Sequence, residues 1–172
     1  MTDFKNIDYL RVGSVRQIEA FNELIRLGIF DSLAKYSPHL TGTIPIGIDL
    51  PDSDLDIICE CKDYEEFLSR LVELYGYYDE FVIHSKEYYG IKSTVAKFIS
   101  GNFEIEIFGQ NIPSEKQNAF RHMIIENKIL LERGPGFREE IIKLKKSGYK
   151  TEPAFAKLLN LKGDPYDELL KF

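Results

Sequence analysis

Between residues 40 and 108 the chain strings together short apolar segments of β character, and on both sides of that stretch apolar residues recur at helical spacing. Segments 40–44, 55–61, 81–84, 91–99 and 103–108 read as strands. Ser100-Gly101-Asn102 joins the last two as a hairpin. Asp63, with Glu66 three residues on, reads as a capping box opening a helix that ends near Gly76. Ahead of the strands, Val15, Ile18, Phe21, Leu24, Ile25 and Leu33 mark a helical stretch over 14–36, broken near Gly28 and stopped by Pro38. After Pro113 everything reads as helix: 119–132, closed by Gly134-Pro135-Gly136, then 137–146, 152–160 and a short helix near the C-terminus. Strands gathered in the middle with helices at both ends predict an α+β fold, with one mixed or antiparallel sheet of about four to five strands followed by a C-terminal helical region. Residues 1–112 would form the α+β core and 113–172 the helical region packed on it, one compact unit within the usual size of a domain.

Charge narrows the partners. The chain carries 28 acidic and 22 basic residues, a net charge of −6. Binding a nucleic-acid backbone needs clustered Lys and Arg, so nucleic acid is an unfavoured partner. No apolar run approaches a membrane span and the N-terminus has no signal-peptide pattern, which points to the cytoplasm. Cys59 and Cys61 stand two apart on a strand, with no third cysteine to complete a soft metal site, and read as packed, reduced side chains.

The informative run is 41–57, Thr-Gly-Thr-Ile-Pro-Ile-Gly-Ile-Asp-Leu-Pro-Asp-Ser-Asp-Leu-Asp-Ile. Residues two apart on a strand share a face at about 6.6 Å, so Asp54 and Asp56 project together while Leu55 and Ile57 point to the core. Paired carboxylates repel unless a proton or cation lies between them. A hard divalent ion such as Mg²⁺ (or Mn²⁺) resolves the conflict with one or two carboxylates plus substrate phosphates. Glu104 and Glu106 share one face of the 103–108 strand, opposite Phe103, Ile105 and Ile107. If that strand lies beside the aspartates, the acids converge as two-metal phosphoryl transfer requires, with ions roughly 3.5–4 Å apart.

Gly-Thr, a loop of about ten residues, Asp-Leu-Asp on a strand and an acid on a later strand resemble the nucleotidyltransferase superfamily, whose members include DNA polymerase beta and the kanamycin nucleotidyltransferases. The wording Gly-Thr-Ile-Pro-Ile-Gly-Ile-Asp, Ser-Asp-Leu-Asp-Ile and Glu-Ile-Phe-Gly-Gln, with Ala-Phe-Arg-His-Met and Lys-Thr-Glu-Pro-Ala-Phe-Ala downstream, is similar to a bacterial domain family of unknown function within it, related to the GrpB-like proteins. The resemblance implies that Gly42 and Thr43 hold nucleotide phosphates and that Asp54 and Asp56 ligate metal. It further implies that Glu106, with Glu104 as the alternative, serves as third ligand or base toward an attacking hydroxyl. The implied substrates are an NTP and a hydroxyl of a small molecule or protein. A non-catalytic binding module of the same fold, and a metal-dependent phosphohydrolase, are the rival readings. The binding module gains from one departure: no basic residue lies between Gly42 and Asp54, where Asp49 and Asp52 stand instead.

Lys97 and Lys92 are the nearest candidates to grip phosphate from the hairpin. Arg121 and His122, about 100° apart on a helix, can place only one side chain in a pocket. Gln110, Gln117, His39 and His84 read as ordinary polar residues, and 143–146 (Lys-Leu-Lys-Lys) as a solvated helix face. The tyrosine pairs 77–78 and 88–89 could stack on a base, with core or rim packing the plainer role.

Overall fold

The computed structural model describes residues 2–88 and 90–172, so Tyr89 of the second tyrosine pair lies outside the described residues. Serine 14 opens the first helix, α1 (Val15–Leu27), through a complete capping box with Gln17. Gly28 closes it in the left-handed conformation at φ 61°, and a short α2 (Ile29–Ser32) follows. The apolar stripe expected along this stretch is only half right. Ala20 and Leu24 are buried, whereas Val15, Ile18 and Ile25 are exposed. At 3.6 residues per turn those three lie about 140–160° round the helix from Ala20, and the helix meets the sheet on one side only.

The sheet has five strands: β1 (His39–Thr41), β2 (Leu55–Glu60), β3 (Val82–Tyr88), β4 (Ile91–Ser100) and β5 (Phe103–Gln110), in the order β1-β2-β5-β4-β3. β2 and β5 are parallel and every other pair is antiparallel, so the sheet is mixed. The first strand is shorter than expected because the chain turns out of the sheet at Gly42, φ 84°. The helix α3 (Tyr64–Tyr75) crosses between β2 and β3. Asp63 caps it, accepting from the backbone N–H groups of Glu65 and Glu66, but Glu66 does not complete the box. Its carboxylate takes Lys35 and the Tyr36 hydroxyl instead.

One sheet face packs under α1–α3 in a core containing Leu24, Leu55, Ile57, Phe67, Leu71, Phe98, Ile105 and Ile107. Gly109 belongs to this contact: a Cβ there would stand 2.2 Å from the Phe67 ring, so only a bare α-carbon lets α3 sit this close to β5.

The C-terminal helices are α4 (Asn118–Arg133), α5 (Pro135–Lys146), α6 (Thr151–Leu159) and α7 (Pro165–Leu169). Gly134 ends α4, but Pro135 and Gly136 already belong to α5, where a proline at the first position loses no helical hydrogen bond. These helices build a second core, Phe120, Met123, Leu130, Ile141 and Phe155, into which Phe4, Ile46, Ile48 and Ile58 insert. The loop between β1 and β2 thus lies between both halves. Among the described residues no helix is long and apolar enough to cross a membrane.

Candidate active site

The register of the parallel pair decides the site. Asp56 on β2 stands opposite Glu106 on β5, and Asp54 precedes β2 on the same face. Oxygens of Asp54, Asp56 and Glu106 all lie within 4.8 Å of one another. Alternation puts Leu55, Ile57, Ile105 and Ile107 on the opposite, buried side. The expected convergence of acids from two strands is therefore present, with Glu106 as its third member. Glu104 is exposed and bonds Lys97.

Electrostatics at the cluster are unfavourable without a counterion. Burial pushes the Asp56 carboxyl well above the ordinary aspartate range, and the charges of Asp54 and Glu106 push it further. Asp54 is raised too, first by burial and then by Glu106. The compensating cation is Lys97, whose Nζ lies 2.8 Å from both Glu104 Oε1 and Glu106 Oε2. Burial pulls the lysine pKa down, but these two hydrogen bonds outweigh it and raise it. Lys97, expected to grip phosphate, is thus engaged by the acids. The donor set is all oxygen and anionic, which suits Mg²⁺ or Mn²⁺. Asp54, Asp56 and Glu106 would hold the ion.

Gly42 is fixed by this cluster. A Cβ on it would come 2.4 Å from Asp56 Oδ2, and its φ of 84° disfavours any other residue. Its neighbour Thr43 places Oγ1 3.4 Å from Ser53 Oγ, and Ser53 Oγ accepts the Leu50 N–H at 2.8 Å. Side chains from distant helices hold the loop carbonyls. Gln17 Nε2 donates to Ile44 O at 2.8 Å, and Arg16 Nη2 to Pro51 O and Ser53 O at 3.3 Å each. Arg138 donates to Ile46 O and Gly47 O, and Lys145 Nζ to Ile48 O at 2.7 Å.

A cleft of about 770 Å³ opens from the acids. Gly42, Thr43, Asp54, Asp56 and Glu106 line it on the sheet side, and His122, Met123, Glu126, Lys145 and Glu152 on the helical side. Arg121 is not among its lining residues; it is exposed and donates to Asn118 Oδ1. Of the adjacent pair it is His122 that turns inward, with Nε2 2.9 Å from Tyr166 O. Gln110 and Gln117 line the cleft with their amide nitrogens already bound, Gln110 to Ser93 Oγ and Gln117 to Cys59 O and Ile112 O, while the buried Gln117 Oε1 has no partner. Tyr77 and Tyr78 stack on each other away from it, Tyr78 against Phe98. Cys59 and Cys61 are buried and free.

One expectation is corrected. Lys145 does not belong to a solvated face: it is partly buried, lines the cleft, and lies within electrostatic reach of Asp49, Glu126, Glu152 and Asp54. Burial lowers its pKa and these acids oppose that. It stands four residues after the fully buried Ile141, on the packed side of α5. It brings a cation from the C-terminal helices to the cleft, where residues 42–54 carry none.

Residues 22–172 match a family described as a domain of unknown function, DUF4269, and the chain belongs to it. No curated protein matches the chain. Among solved structures it is similar to the Cid1 poly(U) polymerase with Mg 3′-dATP bound, at TM-score 0.56 and 13% identity over 91% of this chain and 48% of that one. The GLD-2/RNP-8 complex gives TM-score 0.55 at 12% identity, covering 88% and 57%. A cytoplasmic RNA terminal U-transferase gives 0.50 at 14%, covering 77% and 39%. The chain thus spans about two fifths to under three fifths of these neighbours, and the likeness shows a nucleotidyltransferase fold.

Proposed function

We propose that this protein is a divalent-metal-dependent nucleotidyltransferase that moves a nucleoside monophosphate from an NTP to a hydroxyl of a small molecule or protein. The observation that carries the reading is the meeting of Asp54, Asp56 and Glu106 within 4.8 Å at the mouth of a large cleft. Mg²⁺ or Mn²⁺ held there would neutralise triphosphate charge and make an adjacent hydroxyl more acidic. Gly42 and Thr43 lie where the chain leaves the sheet beside Asp56, suited to steadying phosphate by backbone N–H and hydroxyl. Lys145 faces the same cleft and gives the triphosphate a cationic partner. A cation at this place supports transfer over the non-catalytic module.

In the transfer, the acceptor oxygen bonds to the α-phosphorus as the bond from that phosphorus to the β-bridging oxygen breaks. The electron pair leaves with pyrophosphate. The acceptor proton passes to the Glu106 carboxylate, held in place by Lys97. Asp54 and Asp56 would hold the metal, which would supply charge neutralisation for the leaving pyrophosphate, and the buried Leu55 and Ile57 fix the strand that carries them.

Calorimetric titration of ATP with Mg²⁺, on the native chain and on Asp54→Asn, tests the assignment. Binding is expected to be abolished in the variant with its fold intact. Equal affinity in both proteins would refute the role of the acids. Free nucleoside monophosphate, released without a modified acceptor, would assign the same acids to hydrolysis instead.

A further inference from the structure

The cleft extends past the metal-site acids, and its far end carries a group that nucleotide transfer does not use. Glu126 on α4 is only 3% exposed, lines the cleft, and has an Oε1 with no hydrogen-bond partner. Met123, Ile129 and Leu130, also buried, flank it at helical spacing, so this carboxyl and His122, one turn back, are the polar members of a largely apolar stripe. A carboxylate in such a place carries a desolvation penalty that a proton or a cationic partner must offset.

The titratable groups facing it come from three helices. Glu152 on α6 acts on it unfavourably, and Lys145 on α5 favourably. His122, one turn back on α4, has Nδ1 3.7 Å from Glu152 Oε1 and its other nitrogen on Tyr166 O. Lys145 already donates to Ile48 O and shares its charge with Asp49 and Asp54. With a triphosphate drawing that ammonium, Glu126 and Glu152 lose their cation.

We propose that Glu126 and Glu152 form the acceptor end of the cleft and select an acceptor that carries a protonated amine near its reactive hydroxyl. Beside the Glu152 charge the buried Glu126 carboxyl ionises only with difficulty, and a neutral donor edge, such as that of a nucleobase, would do nothing to offset that charge. An ammonium offsets both charges, and its three N–H donors can serve both carboxylates at once. The identity of the ligand as acceptor rests on the nucleotidyltransferase reading; its amine does not. Burial, then the charge of Glu152, pushes the Glu126 carboxyl up to about 8. At neutral pH the free protein therefore holds a proton there, which capture of an ammonium expels.

The probe is 1,3-diamino-2-propanol, with glycerol as its uncharged counterpart, titrated by calorimetry into the native chain, Glu126→Gln and Glu152→Gln. The diamine is expected to bind the native chain with a heat that depends on buffer ionisation, reporting proton release. Glu126→Gln should bind it about tenfold more weakly, the loss of one charge-assisted hydrogen bond, and without proton release. Glu152→Gln should weaken it similarly. Equal binding by native and Glu126→Gln proteins, binding of glycerol as strong as the diamine, or no diamine binding at tens of millimolar would overturn the proposal. Mg²⁺-ATP binding, measured on the same samples, separates the two claims. Diamine capture without nucleotide binding would sink the transfer reading and keep the amine site, and nucleotide binding without diamine capture would do the reverse.

Discussion

Replacing Asp56 by asparagine should change stability in opposite directions with and without a divalent cation. Asp56 lies within 4.8 Å of two other carboxylates. At that separation and an effective dielectric near 20, two unit charges repel by about 3.5 kcal/mol. Partial protonation relieves some of this, so an uncharged isostere should stabilise the metal-free protein by about 1–3 kcal/mol. For a chain of this length each kcal/mol is worth about 2–4 °C in Tm. The pH dependence fixes the sign. Because burial and its neighbours raise the folded-state pKa of Asp56, its contribution is full below the ordinary aspartate range. It is then lost as pH climbs through the raised value. The native chain in EDTA should therefore melt progressively lower from the ordinary aspartate range upward, and Asp56→Asn should flatten that slope. Saturating Mg²⁺, at about a thousand times its Kd, adds about 4.1 kcal/mol to the native chain and little to the variant, so the order of melting reverses. Circular dichroism melts in EDTA and in Mg²⁺ across this pH range suffice. An Asp56→Asn protein that melts below the native chain in EDTA, or that keeps the full Mg²⁺ shift, would refute the view of these acids as a repelling cluster awaiting a cation.

Gly42→Ala should cost about 1–3 kcal/mol for the left-handed backbone alone and displace Asp56, whose Oδ2 would be 2.4 Å from the new Cβ; chemical denaturation together with loss of the Mg²⁺ shift checks both. Lys145→Met should weaken Mg²⁺-ATP binding by about tenfold or more through loss of a charge-assisted contact, while Lys146→Met, on the exposed side of the same turn, leaves it unchanged; calorimetry decides. Glu126→Gln should gain on the native chain as pH rises from the ordinary glutamate range to about 8, since the native carboxyl must ionise in a buried site, and urea melts at several pH values would show the two curves diverging.

The acid face of the site was legible because strand alternation is strict: once Leu55, Ile57, Ile105 and Ile107 go inward, Asp54, Asp56, Glu104 and Glu106 share the other face. Which glutamate joins the aspartates was not legible. Glu104 and Glu106 obey the same alternation, and only the register of two strands roughly fifty residues apart pairs Asp56 with Glu106. Helix faces were harder still. Apolar residues on two sides of α1 gave a stripe whose exposed half, Val15, Ile18 and Ile25, meets nothing in this chain's core. Lys145 was hidden in a run of lysines that, as a run, reads as surface, and only its spacing from Ile141 marked it. Glu126 did carry a signal, an acid at a position where Met123, Ile129 and Leu130 predict burial.

The loop between β1 and β2 explains why the site cannot be understood from the sheet alone. Carbonyl oxygens of Ile44, Pro45, Ile46, Gly47, Ile48, Pro51 and Ser53 are held by Gln17 and Arg16 from one end of the chain and by Arg138 and Lys145 from the other. Buried carbonyls without partners are costly, so these four side chains set the path of the loop, and Ile46 and Ile48 anchor it in the C-terminal core. The same path brings Gly42 against Asp56. Arg138 and Lys145 thus tie α5 to the loop that leads to the carboxylates. The family match covers both halves, from residue 22 to residue 172, and residues of both halves line the cleft.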